Sequence, residues 1–297
     1  MIKHLVISGG ANVGFIYFGV LETLIEKNYI VLKNIDTFYC TSVGTLITVM
    51  LTLDYDMKDI QDFLLERPWQ ELYHVDFTTV ARAIKHGGLF DKSIIVDTLK
   101  PLLLGKDLRV DITLQEYYEY CKKEIHFFVT KFSTFELVDV SHKTHPHWKL
   151  IDTVFASSCM PVLFDPIQID DEYYIDGGIL KNYPLHPCIE NRKRSEVFGL
   201  YIDSHKELIS ARTAGPFPSE NSGYRLFEYL YSFIYKMWTL IKHERTSEEI
   251  GFDQHIGIVC DTHPNSILQA FQSKTERKRL YESGIEIANE YLEKLDI

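Results

Sequence analysis

The alternation of apolar and polar segments at the start of the chain repeats one simple unit twice. A short branched apolar run at 4–8 is followed by glycines and then by apolar residues with helical spacing over 15–27. A second apolar run at 35–40 is followed by Ser42 and by an apolar segment at 44–53. Two successive strand–turn–helix units favour an α/β fold with a mostly parallel central sheet.

The pattern from about residue 57 to 123 is helical, and we interpret this stretch as a helical insertion. Residues suited to the N-terminus of a helix occur at Asp56, Asp76, Asp91 and Thr113. Alternation with a period of two is weak here and is limited to the neighbourhood of 109–112. We therefore expect helices that begin near these four residues.

Strand character returns in the second half of the chain. The predicted strands are 125–131, 136–141, 173–175, 197–202 and 256–260. Residues 206–223 are rich in Gly, Pro and Ser and predict a loop, and 274–294 predicts a final amphipathic helix. We expect a single domain over 1–297, with a motif-bearing core at about 3–190 and further strands and helices at 191–297.

Residues 224–243 are crowded with aromatic side chains and could be mistaken for a membrane span. Charged residues interrupt the segment at Arg225, Glu228, Lys236 and Lys242. Charges at this density are costly in hydrocarbon, so a helix packed against the sheet is favoured over a spanning helix. Contact of this helix with a lipid surface stays open as the alternative.

The composition is that of a globular protein, with 45% hydrophobic and 25% charged residues. The formal net charge of −11 argues against broad attraction to nucleic acid or to strongly anionic membranes. Five cysteines form no Cys-x-x-Cys pair, which fits neither a disulfide framework nor a thiolate zinc site. The first apolar run is too short for a signal peptide. These features predict an intracellular, cytoplasmic protein with at most peripheral membrane contact.

The segment Cys40-Thr41-Ser42-Val43-Gly44 lies between a predicted strand and a predicted helix, as a nucleophile elbow requires. A sharp turn there lifts the serine hydroxyl clear of the backbone, near a helix N-terminus that favours an oxyanion. Cys40 replaces the first glycine of Gly-x-Ser-x-Gly, and it is small enough for a close approach of strand and helix. Ser42 is a candidate nucleophile, although such short patterns often arise by accident.

The loop that follows the first predicted strand reads Gly9-Gly10-Ala11-Asn12-Val13-Gly14. Glycines at such a junction let successive backbone N–H groups point at one spot, which suits a phosphate or the oxyanion of a tetrahedral intermediate. The loop lacks both the Gly-Lys-Ser/Thr ending of a phosphate loop and the Gly-x-Gly-x-x-Gly register of a dinucleotide fold. Nucleotide binding is therefore disfavoured.

Asp176 ends an apolar and aromatic run and is followed by Gly177 and Gly178. Taken alone, an Asp-Gly pair most often forms a turn in which the carboxylate caps its own backbone. The alternative is a catalytic base at the end of a strand.

Four motifs together resemble the patatin-like phospholipases over about residues 3–190. The family's glycine-rich oxyanion loop corresponds to 9–14, its elbow to 40–44, and its Asp-Gly-Gly to 176–178. Residues 156–164 match its Ala-Ser-x-x-x-Pro-x-x-Phe segment. Four motifs in the family's order are far more specific than any one of them.

The resemblance implies a three-layer α/β/α fold and a Ser42–Asp176 dyad in place of a Ser-His-Asp triad. It also implies hydrolysis of acyl esters of phospholipids or neutral lipids without a metal or other cofactor, and it names no activating protein partner. The family ordinarily has glycine at the position of Ala11 and a basic residue at that of Val13. With Cys40, these departures leave a catalytically weakened lipid- or protein-binding module as the alternative.

The histidines suggest two further hypotheses about the site. A conventional α/β-hydrolase would take its base from a residue such as His186 or His205, but its nucleophile normally lies deeper in the chain. His142, His145 and His147 suggest a metal, but they lie in a Pro-containing loop without a matching carboxylate–histidine pair. We therefore expect neither a histidine base nor a metal site.

Overall fold

The computed structural model describes residues 1–203, 229–230, 232–234, 236–237 and 251–296. The predicted loop at 206–223, most of the aromatic segment at 224–243 and His205 lie outside these residues. Within the described part of the chain, no helix combines the length and the apolar character needed to cross a membrane.

Helices and strands alternate along the described chain. The helices are α1 (Val13–Glu26), α2 (Val43–Thr52), α3 (Met57–Glu66), α4 (Phe77–His86), α5 (Ser93–Leu104), α6 (Leu114–Cys121), α7 (Leu150–Ser158), α8 (Gly178–Lys181), α9 (Leu185–Asn191), α10 (Pro264–Gln272) and α11 (Lys274–Lys294). The strands are β1 (His4–Ile7), β2 (Thr37–Cys40), β3 (Gly88–Phe90), β4 (Glu124–Lys131), β5 (Glu136–Val140), β6 (Val162–Phe164), β7 (Ile167–Ile169), β8 (Glu172–Asp176), β9 (Val197–Ile202) and β10 (His255–Ile258).

The central sheet has the strand order β10-β9-β1-β2-β4-β8-β7, and β5 also pairs with β4. Strands β10, β9, β1, β2 and β4 are parallel to their neighbours in that order, whereas β5 and β8 run antiparallel to β4, and β7 runs antiparallel to β8. The predicted α/β fold with a mostly parallel sheet is confirmed.

Helices cover both faces of the sheet. Leu5 and Ile7 of β1 belong to the main apolar core with α1, α2, α7 and α11, whereas Val6 belongs to a second cluster with α9. Successive side chains of a strand point to opposite faces, so the two clusters lie on opposite sides of the sheet. Burial on both faces explains the nearly continuous apolar runs of the parallel strands. The layers are helix, sheet and helix.

Three of the four predicted helix starts are the N-cap residues of helices in the structure. Asp56 precedes α3, and the Asp76 carboxylate accepts a hydrogen bond from the Thr79 N–H at 2.8 Å at the start of α4. Thr113 forms a reciprocal capping box with Glu116 at the start of α6. Helix α5 begins two residues after the fourth predicted start, Asp91. The Asp76 and Thr113 side chains satisfy N–H groups that have no partner inside the helix, whereas Asp56 forms no side-chain cap hydrogen bond.

Short strands depart from the predictions. Strand β3 lies within the stretch predicted as helical and pairs with β6. Strands β6 and β7 were not predicted. Each of these three strands has three residues, too few for an alternating pattern to be visible.

Candidate functional site

Two strands meet end to end beside β4. Phe127 of β4 pairs with Cys40 of β2 and also with β5, so β2 and β5 flank opposite sides of β4. Val129 pairs with Asp176 of β8 and also with β5, so β8 lies on the same side as β2. Strand β2 runs parallel and β8 antiparallel to β4, so their carboxyl ends point at each other. Their last residues are two positions apart along β4, which corresponds to about 7 Å.

Ser42 occupies the turn directly after β2, in a conformation that is uncommon for a residue with a side chain. Its φ is 51° and its ψ −125°, and such backbone strain costs about 1–3 kcal/mol. Its C=O accepts hydrogen bonds from the N–H and the hydroxyl of Thr45 at 2.9 and 2.6 Å. Its own N–H donates to Ser157 Oγ at 3.0 Å. Neighbouring groups on both sides thus hold the sharp turn that an elbow requires.

The cysteine at the first glycine position of the elbow is accommodated. Cys40 is fully buried, and its Sγ contacts the His126 carbonyl at 3.4 Å. Burial raises the pKa of this thiol, so it stays neutral and packs as a small apolar side chain. At the other end of the motif, a Cβ on Gly44 would overlap the Ile7 carbonyl. The close approach of α2 to β1 therefore survives the departure at Cys40.

The loop after β1 divides its backbone amides into two groups. Those of Gly9, Val13 and Gly14 donate to protein carbonyls at 3.3, 3.0 and 3.1 Å. The second group, which forms no hydrogen bond with any residue that the structure describes, comprises Gly10, Ala11 and Asn12. The three middle amides of the loop are thus available to a bound group.

Two residues of this loop, Ala11 and Val13, differ from those usual in the family, and their surroundings differ. Ala11 has a φ of 49°, a conformation that suits the glycine usual at this position. Val13 is fully buried in the main core and presents no group to the site. Between them, the Asn12 side-chain amide donates to the Asp261 carbonyl at 3.1 Å and ties the loop to the C-terminal part of the chain.

The end of β8 fixes Asp176 by three hydrogen bonds. Its N–H donates to the Cys159 carbonyl at 3.0 Å, and its C=O accepts from the Thr130 hydroxyl at 3.0 Å. Its Oδ1 accepts from the Gly178 N–H at 2.6 Å, which is the local turn that an Asp-Gly pair predicts. Asp176 is 4% exposed, and the bond to Gly178 orients its carboxyl group inside the protein.

Asn182 links the glycine loop to the Asp-Gly-Gly turn, and sequence reasoning missed it. Its side-chain Nδ2 donates a hydrogen bond to the Gly9 carbonyl at 3.2 Å, and its main-chain carbonyl accepts one from the Gly9 N–H at 3.3 Å. A Cβ on Gly9 would lie 2.6 Å from Asn182 Oδ1 and 2.8 Å from the Ser42 Cβ. A Cβ on Gly178 would lie 2.8 Å from the same Oδ1 and 2.9 Å from Asp176 Oδ1. The Asn182 amide therefore lies between the two candidate catalytic residues.

Ser157 is a second residue absent from the predicted site. Its Oγ accepts the Ser42 N–H and donates to the Phe128 carbonyl at 2.7 Å, at the level of β4 that lies between the ends of β2 and β8. The Ala-Ser motif at 156–157 was a signal for this residue. No sequence signal connects Asn182 with Gly9, since 173 positions separate the two.

The histidines that suggested other readings make local contacts. His186 is exposed on α9, with its Nε2 3.5 Å from Glu190. His142 stacks on Tyr118 with ring centroids 3.7 Å apart, and no described histidine is hydrogen-bonded to Ser42. The described residues contain no group of three or more His, Cys, Asp or Glu side chains placed to hold a metal ion.

Comparison with known proteins gives the class of this fold and site. Residues 5–189 match the family model of the patatin-like phospholipases, and the chain belongs to that family. A probable lipid hydrolase of Invertebrate iridescent virus 6 is 27% identical over 65% of this chain and 67% of its own length. A triacylglycerol lipase of Arabidopsis thaliana is 26% identical over 56% of this chain and 20% of its own. The family and these names support lipid hydrolysis in general terms.

Two further matches extend over nearly the whole chain. An uncharacterized protein of Acanthamoeba polyphaga mimivirus is 21% identical over 99% of this chain and 95% of its own length. The crystal structure of VipD from Legionella pneumophila superposes with a TM-score of 0.54 at 19% identity, over 99% of this chain and 67% of that one. At this identity the likeness concerns the fold alone.

Proposed function

We propose that the protein hydrolyses acyl-ester bonds of phospholipids or neutral lipids, with Ser42 as nucleophile and Asp176 as its base. The observation that carries the proposal is the end-to-end meeting of β2 and β8 beside β4, because the strained turn of Ser42 and the buried Asp176 belong to these adjoining strand ends. Family membership and the names of the relatives support a lipid as the substrate.

The reaction follows from these two groups and the glycine loop. Asp176 accepts the hydroxyl proton as Ser42 Oγ attacks the ester carbonyl carbon, and the carbonyl oxygen becomes an oxyanion. When the tetrahedral intermediate collapses, the leaving alkoxide takes the proton from Asp176 and an acyl-enzyme remains. A water molecule, deprotonated by Asp176, then attacks the acyl-enzyme; the acid leaves and Ser42 regains its proton.

Oxyanion stabilisation is assigned to the free amides of Gly10, Ala11 and Asn12. The Gly9 carbonyl accepts two hydrogen bonds, from Asn182 Nδ2 at 3.2 Å and from Ser8 Oγ at 3.0 Å. Because a trans peptide is planar, its C=O and N–H point in opposite directions, so these two bonds also fix the direction of the Gly10 N–H. A donor held in place before the reaction is what an oxyanion hole requires.

Asn182→Leu, which keeps the side-chain shape and removes the amide, should release the Gly9–Gly10 peptide. We expect kcat and kcat/KM on a soluble ester to fall together by up to roughly 100-fold with little change in KM, because the lost interaction acts only on the transition state. The matched control is Asn191→Leu on the exposed side of α9, whose amide also donates to a backbone carbonyl. An Asn182→Leu enzyme with normal kcat would mean that this amide does not order the loop.

Covalent labelling tests the proposed function directly. A fluorophosphonate probe mimics the ester and should modify Ser42 in the folded protein and not in the denatured protein, with the adduct located by peptide mass spectrometry. Ser158, buried one residue after Ser157, serves as the internal control and should stay unmodified. Lipid binding without any labelling of Ser42 would favour the binding module over the enzyme.

A further inference from the structure

Four large apolar side chains are exposed together at one end of the sheet. Phe132 and Phe135, in the turn between β4 and β5, are 58% and 53% exposed. Leu137 of β5 and Tyr173 of β8 are 36% and 47% exposed. The Phe132 N–H donates to the Tyr173 carbonyl at 2.8 Å, so the two hairpins are joined. These four residues, which we call the apolar tip, form a patch that is costly to leave in water.

The apolar tip stands beyond the candidate site on the same edge of the sheet. Cys40, two residues before the nucleophile, is level with Phe127, and β4 continues from there towards Phe132. Five residues of extended strand correspond to about 16 Å. Asp176 is level with Val129, between the two. A flat surface that touches the apolar tip therefore faces the edge that carries Ser42 and Asp176.

A second exposed apolar group borders the same site. Within the described helical residues of 229–237, Ile234 packs against Met160, as does Ile179, which directly follows the Asp-Gly-Gly turn. Among the described residues of this segment, the exposed large apolar side chains are Tyr229, Leu230, Phe233 and Met237. Eight exposed apolar residues thus occur in two groups next to one edge of the fold.

We infer that this edge docks onto the lipid–water interface of a neutral, zwitterionic membrane, with the apolar tip inserted between the headgroups. The inference rests on the proposed function, since an acyl-ester site needs access to lipid. Lys131 and Glu172 form an ion pair at 3.0 Å beside the tip, and the exposed Glu136 adds a negative charge there, so these groups give the tip no net positive charge to attract anionic lipid. With a net charge of −11, docking depends on apolar and aromatic side chains instead of attraction to anionic lipid.

Vesicle binding tests the docking surface separately from catalysis. In the Ser42→Ala background, which cannot turn lipid over, the double variant Phe132→Ser/Phe135→Ser should bind vesicles of phosphatidylcholine at least about 10-fold more weakly. With Ser42 intact, the same double variant should keep wild-type turnover of a soluble short-chain ester. The matched control is Val31→Ser/Leu295→Ser, which removes side chains that are 38% and 43% exposed at the opposite edge and should change neither result.

The other outcomes overturn either the docking inference or the proposed function, and they can be told apart. Equal vesicle binding by the tip variant and its parent removes the tip from docking, whereas binding only to vesicles that contain phosphatidylserine assigns docking to charge. Loss of soluble-ester turnover in a folded tip variant assigns the tip to the site itself. Self-association that the tip substitutions abolish, without vesicle binding, identifies an interface between copies of the chain. If vesicles bind through the tip but Ser42 supports no ester hydrolysis, the proposed function fails and docking stands.

Discussion

Replacement of Ser42 by alanine is expected to abolish ester turnover, with kcat reduced by at least about 10⁴-fold. In the proposed mechanism the Ser42 hydroxyl is the attacking group, and alanine has no atom that can take its place. The substitution removes one oxygen and leaves the backbone contacts of the turn in place, so the free energy of unfolding should change by less than about 1 kcal/mol. Turnover of a soluble activated ester and a thermal unfolding curve measure both effects.

Ser158→Ala is the matched control, because it removes a buried hydroxyl one residue from the serine that holds the elbow. Ser158 Oγ has no hydrogen-bond partner among the described residues, so its loss should leave turnover unchanged. If Ser42→Ala retains wild-type turnover, the nucleophile lies elsewhere.

Asp176→Asn should reduce kcat by roughly 10²–10⁴-fold, because an amide oxygen cannot take the serine proton. The geometry of the turn should survive, since an asparagine Oδ1 can still accept the Gly178 N–H. In the proposed mechanism the ionised carboxylate is the base, so wild-type turnover should rise with pH along an acidic limb of the pH–rate profile. The variant should lack this limb of the pH–rate profile.

Asp171→Asn makes the same chemical change at an exposed residue of the β7–β8 turn, with a φ of 63° that asparagine tolerates. It should retain full activity, as should His186→Asn on α9. Retention of activity by Asp176→Asn together with loss in a histidine variant would replace the dyad by a histidine-based mechanism and leave the patatin-like assignment as one of fold.

Features with a local cause could be predicted from the sequence. A capping side chain acts within three residues, so Asp76 and Thr113 indicate helix starts without any knowledge of the rest of the chain. The elbow and the glycine loop could also be predicted locally, because a strand followed by a tight turn and a helix gives a recognisable sequence pattern. On this basis residues 9–14 are predicted to be a loop whose amides suit a phosphate or an oxyanion, and the family resemblance implies the oxyanion.

Features that depend on pairing between distant segments could not be predicted. The loop pattern does not reveal that Gly9, Val13 and Gly14 use their amides internally. Asn182 resembles an ordinary turn residue until it is placed beside Gly9 by the parallel order of the sheet. Strand β3 becomes visible only through its pairing with β6. Such contacts require the register of the whole sheet, which no local window contains.

Because β2 and β8 meet end to end beside β4, strand β4 determines the distance between their ends. Strand β4 supplies neither candidate catalytic side chain, yet the number of its residues between Phe127 and Val129 sets the spacing between the two strand ends. One residue inserted there would lengthen that spacing by about 3.3 Å and turn the following side chains to the opposite face. The turn at 132–135 can change length without this effect. Variation in length among related chains should therefore concentrate in that turn and spare residues 127–129.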